Sequence, residues 1–259
     1  RSLSSAASDV YKRQAYADAR DYVLNTASTG GTYHPVGTAI ATLSKIKLLP
    51  KQKFSLTAVN SAGSGANVQA LGAGTADFAI LQGLYGSYAS TGTGPISSPQ
   101  KNLRSVTMLW QNVEQFLIAN EYVVSGSVSD LSLLKGESMG LGKQNSGTLG
   151  SNKVLLAGLG IDIGSDFDLL HAGYGPTADA MANGNIVGAG IPSGPPTGAI
   201  TKLMSANQGK FTLLNVTADQ LAQMDGDRNL WTPYTIAAGT YPGPVSYTHL
   251  TLPTKTPCR

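Results

Sequence analysis

Both halves of this 259-residue chain contain the same pattern, in which a short apolar strand leads through a glycine-rich turn into a helix. In the first half, the apolar residues 22–24 precede Gly30 and Gly31. Pro35 suits the first turn of the helix that follows, because its missing N–H is not needed there. A half-buried helix repeats apolar residues at i, i+3, i+4 and i+7, and this stripe is predicted at Val36, Ala39, Ile40 and Leu43.

The second copy begins with the apolar residues 139–141, and Ser146 then provides a helix cap in front of Gly147. Each copy is followed by another turn, helix and strand, and these later strands are predicted at residues 77–81 and 186–191. Strands that alternate with helices imply parallel sheets. The turns after parallel strands line one edge of a sheet, where ligands bind. Two such units therefore predict two lobes that face a shared cleft.

The turn in each half leads into a helix N-terminus, whose unpaired N–H groups and dipole favour an anion. The functional interpretation is a small anionic ligand held by backbone amides and by the hydroxyls of Thr29, Thr32 and Tyr33. The alternative is an ordinary capped turn, because short glycine motifs also match by chance. The second copy favours the functional interpretation, since chance would have to produce the same design twice.

The two halves are joined by a segment in which residues 105–110 and 115–119 have the composition of strands. A strand that passes from one lobe to the other would serve as a hinge. Trp110 and Trp231 are interpreted as side chains that pack in the core or at this hinge.

Composition excludes several classes of function. Only 13% of the residues are charged, which does not fit a nucleic-acid-binding protein with a basic face. No apolar run approaches the ~20 residues of a membrane span. Two terminal segments, residues 1–14 and 246–259, look like foreign adaptor sequence, so the protein is expected to be truncated at both ends. They hold five of the 18 basic and one of the 15 acidic residues, which leaves the remaining chain with a net charge of −1.

The remaining chain offers little for catalysis or metal binding. The only cysteine, Cys258, lies in a terminal segment, which excludes a disulfide or a cysteine nucleophile in the body and fits the bacterial periplasm. His34 and His171 have no metal-ligand spacing to each other, and Ser146 lacks the G-x-S-x-G frame of a nucleophile. We therefore expect no catalytic residues, no metal and no cofactor.

Four motifs come in the order found in one transport family. They are GGTYHPVGTAIA, GSGANVQALGAGTADFAILQ, SDLSLLKGESMGLGKQNSGT and TIAAGTYPG, and they fall within residues 22–243. In these motifs the chain resembles the TAXI group of solute-binding proteins, which serve tripartite ATP-independent periplasmic (TRAP) transporters. Each motif is weak alone, but four in order at family-like spacing form a specific signal.

The resemblance implies an α/β fold of the type II periplasmic-binding-protein kind, which is a two-lobed clamshell with a hinge between the lobes. Lobe 1 is expected at residues 15–116, lobe 2 at 117–235 and the start of a return to lobe 1 at 236–245. The resemblance also implies capture of a small carboxylate of the glutamate, glutamine, 2-oxoglutarate or dicarboxylate class, and delivery to a TRAP permease in the membrane. We expect a periplasmic monomer that binds no nucleic acid.

The predicted ligand-binding residues combine the two turns with the positions that the family uses. They are Thr29, Gly31, Thr32, Tyr33, Ser64, Asn67, Gln82, Ser146, Gly147 and Thr148. Lys143 could offset a carboxylate, but we interpret it as a solvated lysine. The chain has Leu84 and Val187 where the family usually has Asp, which leaves the ligand and part of the cleft lining open.

Two other functions occur on folds of this architecture. An enzyme would usually need a cysteine, a histidine pair or a carboxylate cluster in the cleft. A sensory domain of a regulator would need a fused DNA-binding or membrane segment. Since fold analogy alone does not fix function, both stay open as alternatives to the binding protein.

Overall fold

The computed structural model describes residues 19–242 and 247–251. In this part of the chain, helices and strands alternate and the strands assemble into three sheets. The order of elements matches the predicted repetition, because a parallel unit of strands and helices occurs once in each half.

The first half forms a parallel sheet with helices in its crossover connections. Its strands are β1 (Arg20–Asn25), β2 (Phe54–Val59) and β3 (Phe78–Ala79). Its helices are α1 (Tyr33–Lys47), α2 (Leu49–Gln52), α3 (Ser64–Ala73) and α4 (Gly83–Thr91). The spatial order is β2-β1-β3, and all pairs are parallel. The turns that follow these three strands therefore open at one edge of the sheet.

The second half forms a mixed sheet of five strands. They are β5 (Phe116–Ala119), β6 (Ser138–Gly140), β7 (Asp168–Leu169), β8 (Gly188–Gly190) and β9 (Phe211–Leu213). The helices are α5 (Gly147–Gly158), α6 (Ile163–Asp166), α7 (Tyr174–Ala182), α8 (Gly198–Ala206) and α9 (Ala218–Asp225). In the order β7-β6-β8-β5-β9, β6 runs parallel to β7 and β8, and β5 runs antiparallel to its neighbours. Short 3-10 turns occur at Asn120–Tyr122, Val128–Leu134 and Gly226–Arg228.

A small antiparallel sheet joins the two halves. It contains β4 (Val113–Glu114), β10 (Thr232–Ile236) and β11 (Tyr247–Thr251) in the order β10-β11-β4. Only one residue separates β4 from β5, so the chain passes directly from this sheet into the five-stranded one. β11 lies within residues 246–259, the segment predicted to be foreign, and the foreign origin stays a prediction because strand pairing does not report on it. The lobe boundaries at residues 116 and 235 also stay predictions.

The cores of the two halves differ in size. In β5, Phe116 and Ile118 join one buried cluster and Leu117 joins another, because successive strand residues point to opposite faces. The five-stranded sheet is therefore packed on both faces. The fully buried cluster on the first sheet is smaller, and it consists of Leu24, Ala41, Leu56 and Ile80.

The predicted apolar stripe of α1 is only partly present, because Ile40 packs against the core but Ala39 and Leu43 are exposed. The buried residues of this helix are Gly37, Ala41 and Ser44, whereas Leu43 is 57% exposed. Small residues let the helix lie close to the sheet, and the Ser44 hydroxyl accepts a hydrogen bond of 2.8 Å from the Leu56 amide on β2. A polar contact therefore replaces part of the apolar packing that the periodicity suggested.

The strand predicted at residues 105–110 does not form, while the one predicted at 115–119 is present as β5. In the described part of the chain, residues 103–112 have no regular structure, and Val106 is 78% exposed. Strand propensity is weak without a neighbouring strand that pairs with the segment.

Candidate ligand-binding site

The turns of the two halves face each other across a small cavity, whose volume is about 30 Å³. Eight of the ten predicted binding residues line it, which are Gly31, Thr32, Tyr33, Ser64, Gln82, Ser146, Gly147 and Thr148. The two glycine turns that the sequence singled out therefore lie on opposite sides of one cavity.

The other two predicted residues lie outside the cavity lining. Thr29 is exposed in the turn after β1. Asn67 is fully buried, and its Nδ2 donates hydrogen bonds to the carbonyl oxygens of Thr26 (2.8 Å) and Ile80 (2.9 Å). Asn67 thus links the residue that follows β1 to the residue that follows β3. This is a structural role, the alternative to ligand binding for a polar residue near a helix start.

The start of α5 combines a capped turn with free amide groups. The Ser146 hydroxyl accepts a hydrogen bond from the Leu149 amide (3.0 Å) and donates one to the Lys143 carbonyl oxygen (2.7 Å). The amides of Gly147 and Thr148 precede the first intrahelical hydrogen bonds, and they have no acceptor among the described residues. These two N–H groups are therefore available to an acceptor in the cavity.

Five helices begin at the cavity. The residues that line it at these helix starts are Tyr33 of α1, Ser64 of α3, the cap residue Gln82 of α4, Gly147 of α5 and Tyr174 of α7. Each N-terminus carries partial positive charge. Their convergence favours negative charge in the cavity.

Among the described residues that line the cavity, Lys143 is the only one that carries a formal charge. It is half-buried, and its Cε lies close to Gly173, so its interpretation as a solvated lysine stays a prediction. The sequence placed Lys143 just before the second turn, and that proximity was the signal for a role at the site.

Tyr33 and Tyr174 bring two phenols to the cavity. Tyr33 packs edge-on against Trp110, and the Tyr174 hydroxyl lies 2.7 Å from Thr148 Oγ1 and donates to the Pro192 carbonyl oxygen. Burial raises the pKa of both phenols above the ordinary value of 10.0, so both stay neutral donors. Sequence analysis missed Tyr174, because its place at the cavity depends on how closely the start of α7 approaches the start of α5.

Direct hydrogen bonds close the cavity at its rim. Thr32 Oγ1 lies 2.8 Å from Ser193 Oγ, donates to the Gly194 carbonyl oxygen and accepts from the Gly194 amide, both at 3.1 Å. On the other side, the Ala66 amide donates to the Asn145 carbonyl oxygen at 2.9 Å. Ser193 was also missed, because no motif marks the segment after β8. These contacts join the two halves in a closed arrangement.

A fully buried acid, Glu114, lies behind the cavity. Its carboxylate accepts hydrogen bonds from Gln82 Nε2 (3.0 Å), Ser151 Oγ (3.2 Å) and Trp231 Nε1 (3.3 Å), all of which are neutral. Burial raises the pKa of Glu114 from 4.5 to about 7, although the three hydrogen bonds act in the opposite direction. A single acid in the apolar run around β5 was the signal that sequence analysis overlooked.

In the described residues, no group of three or more His, Cys, Asp or Glu side chains is arranged to hold a metal ion. No helix in the same part of the chain combines the length and apolar character needed to cross a membrane.

Three solved structures share the fold at low sequence identity. A protein from Bordetella bronchiseptica RB50 gives 13% identity and a TM-score of 0.54, with 90% of this chain and 64% of that chain covered. The periplasmic nitrate-binding protein NrtA from Synechocystis PCC 6803 gives 14% and 0.51, with 91% and 56% covered. A binding protein component of an ABC phosphonate transporter from Pseudomonas aeruginosa gives 13% and 0.50, with 81% and 74% covered.

These likenesses confirm the predicted two-lobed α/β fold of the periplasmic-binding-protein type. The chain spans only about three fifths of the length of several structures that it matches. At the level of sequence, residues 24–252 match the NMT1-like family. Because this match extends over most of the chain, the protein belongs to the NMT1-like family.

Proposed function

We propose that this protein is a periplasmic solute-binding protein that captures a small carboxylate between its two lobes and delivers it to a TRAP permease. The observation that carries the proposal is the convergence of five helix N-termini on a cavity whose only charged lining residue is Lys143. Free amides and one cation form a site for one anionic group. The site binds the ligand without changing it, and the protein acts as a monomer.

A carboxylate fits the donors around the cavity. The amides of Gly147 and Thr148 offer two N–H groups from one helix turn, and Tyr33 adds a neutral hydroxyl. The nitrate and phosphonate named for two structural neighbours are also oxyanions, which supports the anionic character of the ligand.

The permease partner rests on the resemblance to TAXI proteins. One structural neighbour is named as a component of an ABC transporter, which is a different class of membrane partner. Ligand uptake by proteoliposomes that contain a TRAP permease would distinguish these partners, since an ABC partner would additionally require ATP.

A thermal-shift screen tests the ligand class. The screen compares L-glutamate, L-glutamine, 2-oxoglutarate and succinate with nitrate and methylphosphonate. A ligand at 100 times its Kd stabilises the protein by about 2.7 kcal/mol, which raises the melting temperature. A response to nitrate or methylphosphonate alone would contradict the carboxylate, and no response to any acid would contradict the proposed function.

The variant Lys143→Met tests the site itself. Loss of a charge-assisted hydrogen bond costs about 1.5–3 kcal/mol, so affinity should fall about 10- to 150-fold. Lys153→Met is the matched control, because Lys153 lies on α5 but is exposed. Equal affinities of the two variants, measured by calorimetry, would show that Lys143 does not bind the ligand.

A further inference from the structure

Gln82 has one half of its amide group paired and the other half unpaired. The residue is only 3% exposed, and its Nε2 donates to Glu114 Oε1 at 3.0 Å. Its Oε1 is buried and has no donor among the described residues. Buried polar atoms without a partner are rare, and each requires an explanation.

The orientation of this amide is fixed from behind. Trp231 Nε1, which can only donate, also binds Glu114 Oε1 (3.3 Å), so that oxygen must act as an acceptor. Ser151 Oγ binds the other carboxylate oxygen, Oε2. When Glu114 is ionised, or carries its proton on Oε2 facing the serine hydroxyl, Oε1 accepts from both Gln82 and Trp231. In both of these forms Gln82 presents its NH₂ group to Glu114, and its carbonyl oxygen points away.

The unpaired oxygen of Gln82 lies at the start of α5. A methyl group added to Gly147 would lie 2.9 Å from Gln82 Oε1, and both residues line the cavity. Asn112 lines the same cavity, and its Oδ1 also has no partner in the described part of the chain. Hydrogen-bond acceptors therefore stand beside the N–H groups that suit an anion.

We infer that Glu114 is a positioning residue that holds the Gln82 carbonyl oxygen toward the ligand, and that the site selects acids that carry a hydroxyl or ammonium group next to the carboxylate. This inference rests on the proposed function and specifies its ligand class. A plain acid would satisfy the N–H donors but leave Gln82 Oε1 unpaired. A hydroxy or amino acid would satisfy both.

Unpaired buried polar groups discriminate strongly between ligands. A site built to bind a hydroxyl group rejects the analogue that lacks it more strongly than an apolar pocket rejects a missing methylene. We expect affinity ratios of about tenfold or more, equivalent to about 1.4 kcal/mol or more.

Matched ligand pairs measure this preference by calorimetric titration of the full chain. One pair is L-lactate and propionate, which differ by a hydroxyl group. The other pair is L-glutamate and glutarate, which differ by an ammonium group. In at least one pair, the donor-bearing acid should bind about tenfold more tightly or better.

Three variants separate positioning from charge. Gln82→Met removes the acceptor, and Glu114→Met releases the Gln82 amide, so both should reduce the ratio to within about twofold of one while acid binding persists. Glu114→Gln should keep a high ratio, because its carbonyl oxygen can accept from both Trp231 and Gln82 while its NH₂ faces Ser151. This conservative variant also removes the negative charge, which should change the affinity for both acids of a pair by the same factor and leave their ratio high.

The outcomes are distinct. If the parent protein binds both acids of each pair equally, or if Gln82→Met keeps the parent ratio, the inference is overturned and the proposed function stands. If no acid of either pair binds, the inference is overturned, and the thermal-shift screen decides the proposed function separately. Should Glu114→Met fail to fold, Gln82→Met alone decides, since its side chain lies at the cavity.

Discussion

Glu114 is a buried acid with only neutral hydrogen-bond partners, and this makes it a determinant of pH-dependent stability. Burial raises the pKa of this carboxyl to about 7 in the folded protein, against 4.5 for the exposed group. A raised pKa in an acid means that the folded state holds the proton more tightly. The stabilisation is therefore complete below about pH 4.5 and is lost as the pH rises through 7.

We predict that the free energy of unfolding falls by about 2–3 kcal/mol between pH 5 and pH 8, at about 1.4 kcal/mol per unit of pKa shift. Glu114→Gln should remove this decrease, because the amide does not ionise. Denaturant titrations at both pH values measure it. Glu121→Gln, at an exposed position, serves as the control and should behave like the parent. The same slope in parent and Glu114→Gln would contradict the prediction.

At individual positions, sequence reasoning succeeded where the chemistry is local. Ser146 was predicted as a helix cap from its neighbours alone, and the structure confirms the cap. The same hydroxyl was also expected to contact a ligand, but its hydrogen bonds go to Leu149 and Lys143. Tyr174 and Ser193 could not be found in this way, because their positions depend on contacts between distant parts of the chain.

At the scale of elements, the start of α5 approaches the start of α3 so closely that residue 147 must be a glycine. A methyl group on Gly147 would lie 2.7 Å from Ser64 Oγ on α3 and 2.9 Å from Gln82 Oε1. Gly147 has a helical backbone, so alanine would suit α5 itself. The added methyl group would clash only with residues of the first half, at the contact between the two halves.

We predict that Gly147→Ala keeps the fold but lowers ligand affinity about tenfold or more, because the cleft closes incompletely. Gly86→Ala is the matched control, since Gly86 lies in α4 and a methyl group there would meet no atom within 4 Å. It should leave affinity unchanged and raise stability by about 0.5–1 kcal/mol. Calorimetric titration and thermal melting of both variants provide the comparison. Unchanged binding by Gly147→Ala would show that closure tolerates the added methyl group.

The elements themselves were largely predictable, and their boundaries were less so. The alternation of strands and helices in the sequence correctly predicted the parallel strands of both halves, because it reflects chain connectivity. The prediction of the buried face of α1 was only partly correct. Gly37 and Ser44 are buried there by close packing, and a search for apolar residues does not detect them. The strand at residues 105–110 failed because its composition fits a strand but no strand pairs with it.

For the molecule as a whole, Thr32 connects the two halves at the rim of the cavity. Its hydroxyl binds Ser193 and both accepts from and donates to Gly194. Thr32→Val keeps the shape of the side chain but leaves the Gly194 amide unpaired. The closed arrangement should lose stability relative to an open one.

We therefore predict that Thr32→Val increases the radius of gyration measured by small-angle X-ray scattering without ligand, and weakens ligand binding several-fold. Saturating ligand should restore the compact form, because it binds the closed arrangement better. Thr38→Val is the control, since Thr38 lies on the exposed face of α1. Identical scattering from Thr32→Val and the parent would mean that this contact does not set the equilibrium between arrangements.

The unequal cores of the two halves have a consequence for local stability. The five-stranded sheet is packed on both faces, whereas four residues form the fully buried cluster on β1, β2 and β3. Segments with fewer buried apolar contacts open more often, so amide hydrogens of the first sheet should exchange with solvent faster than those of β5 and β6. The half that contains Gln82 should therefore open locally more often than the other half. Ligand binding should slow deuterium uptake most strongly in that half.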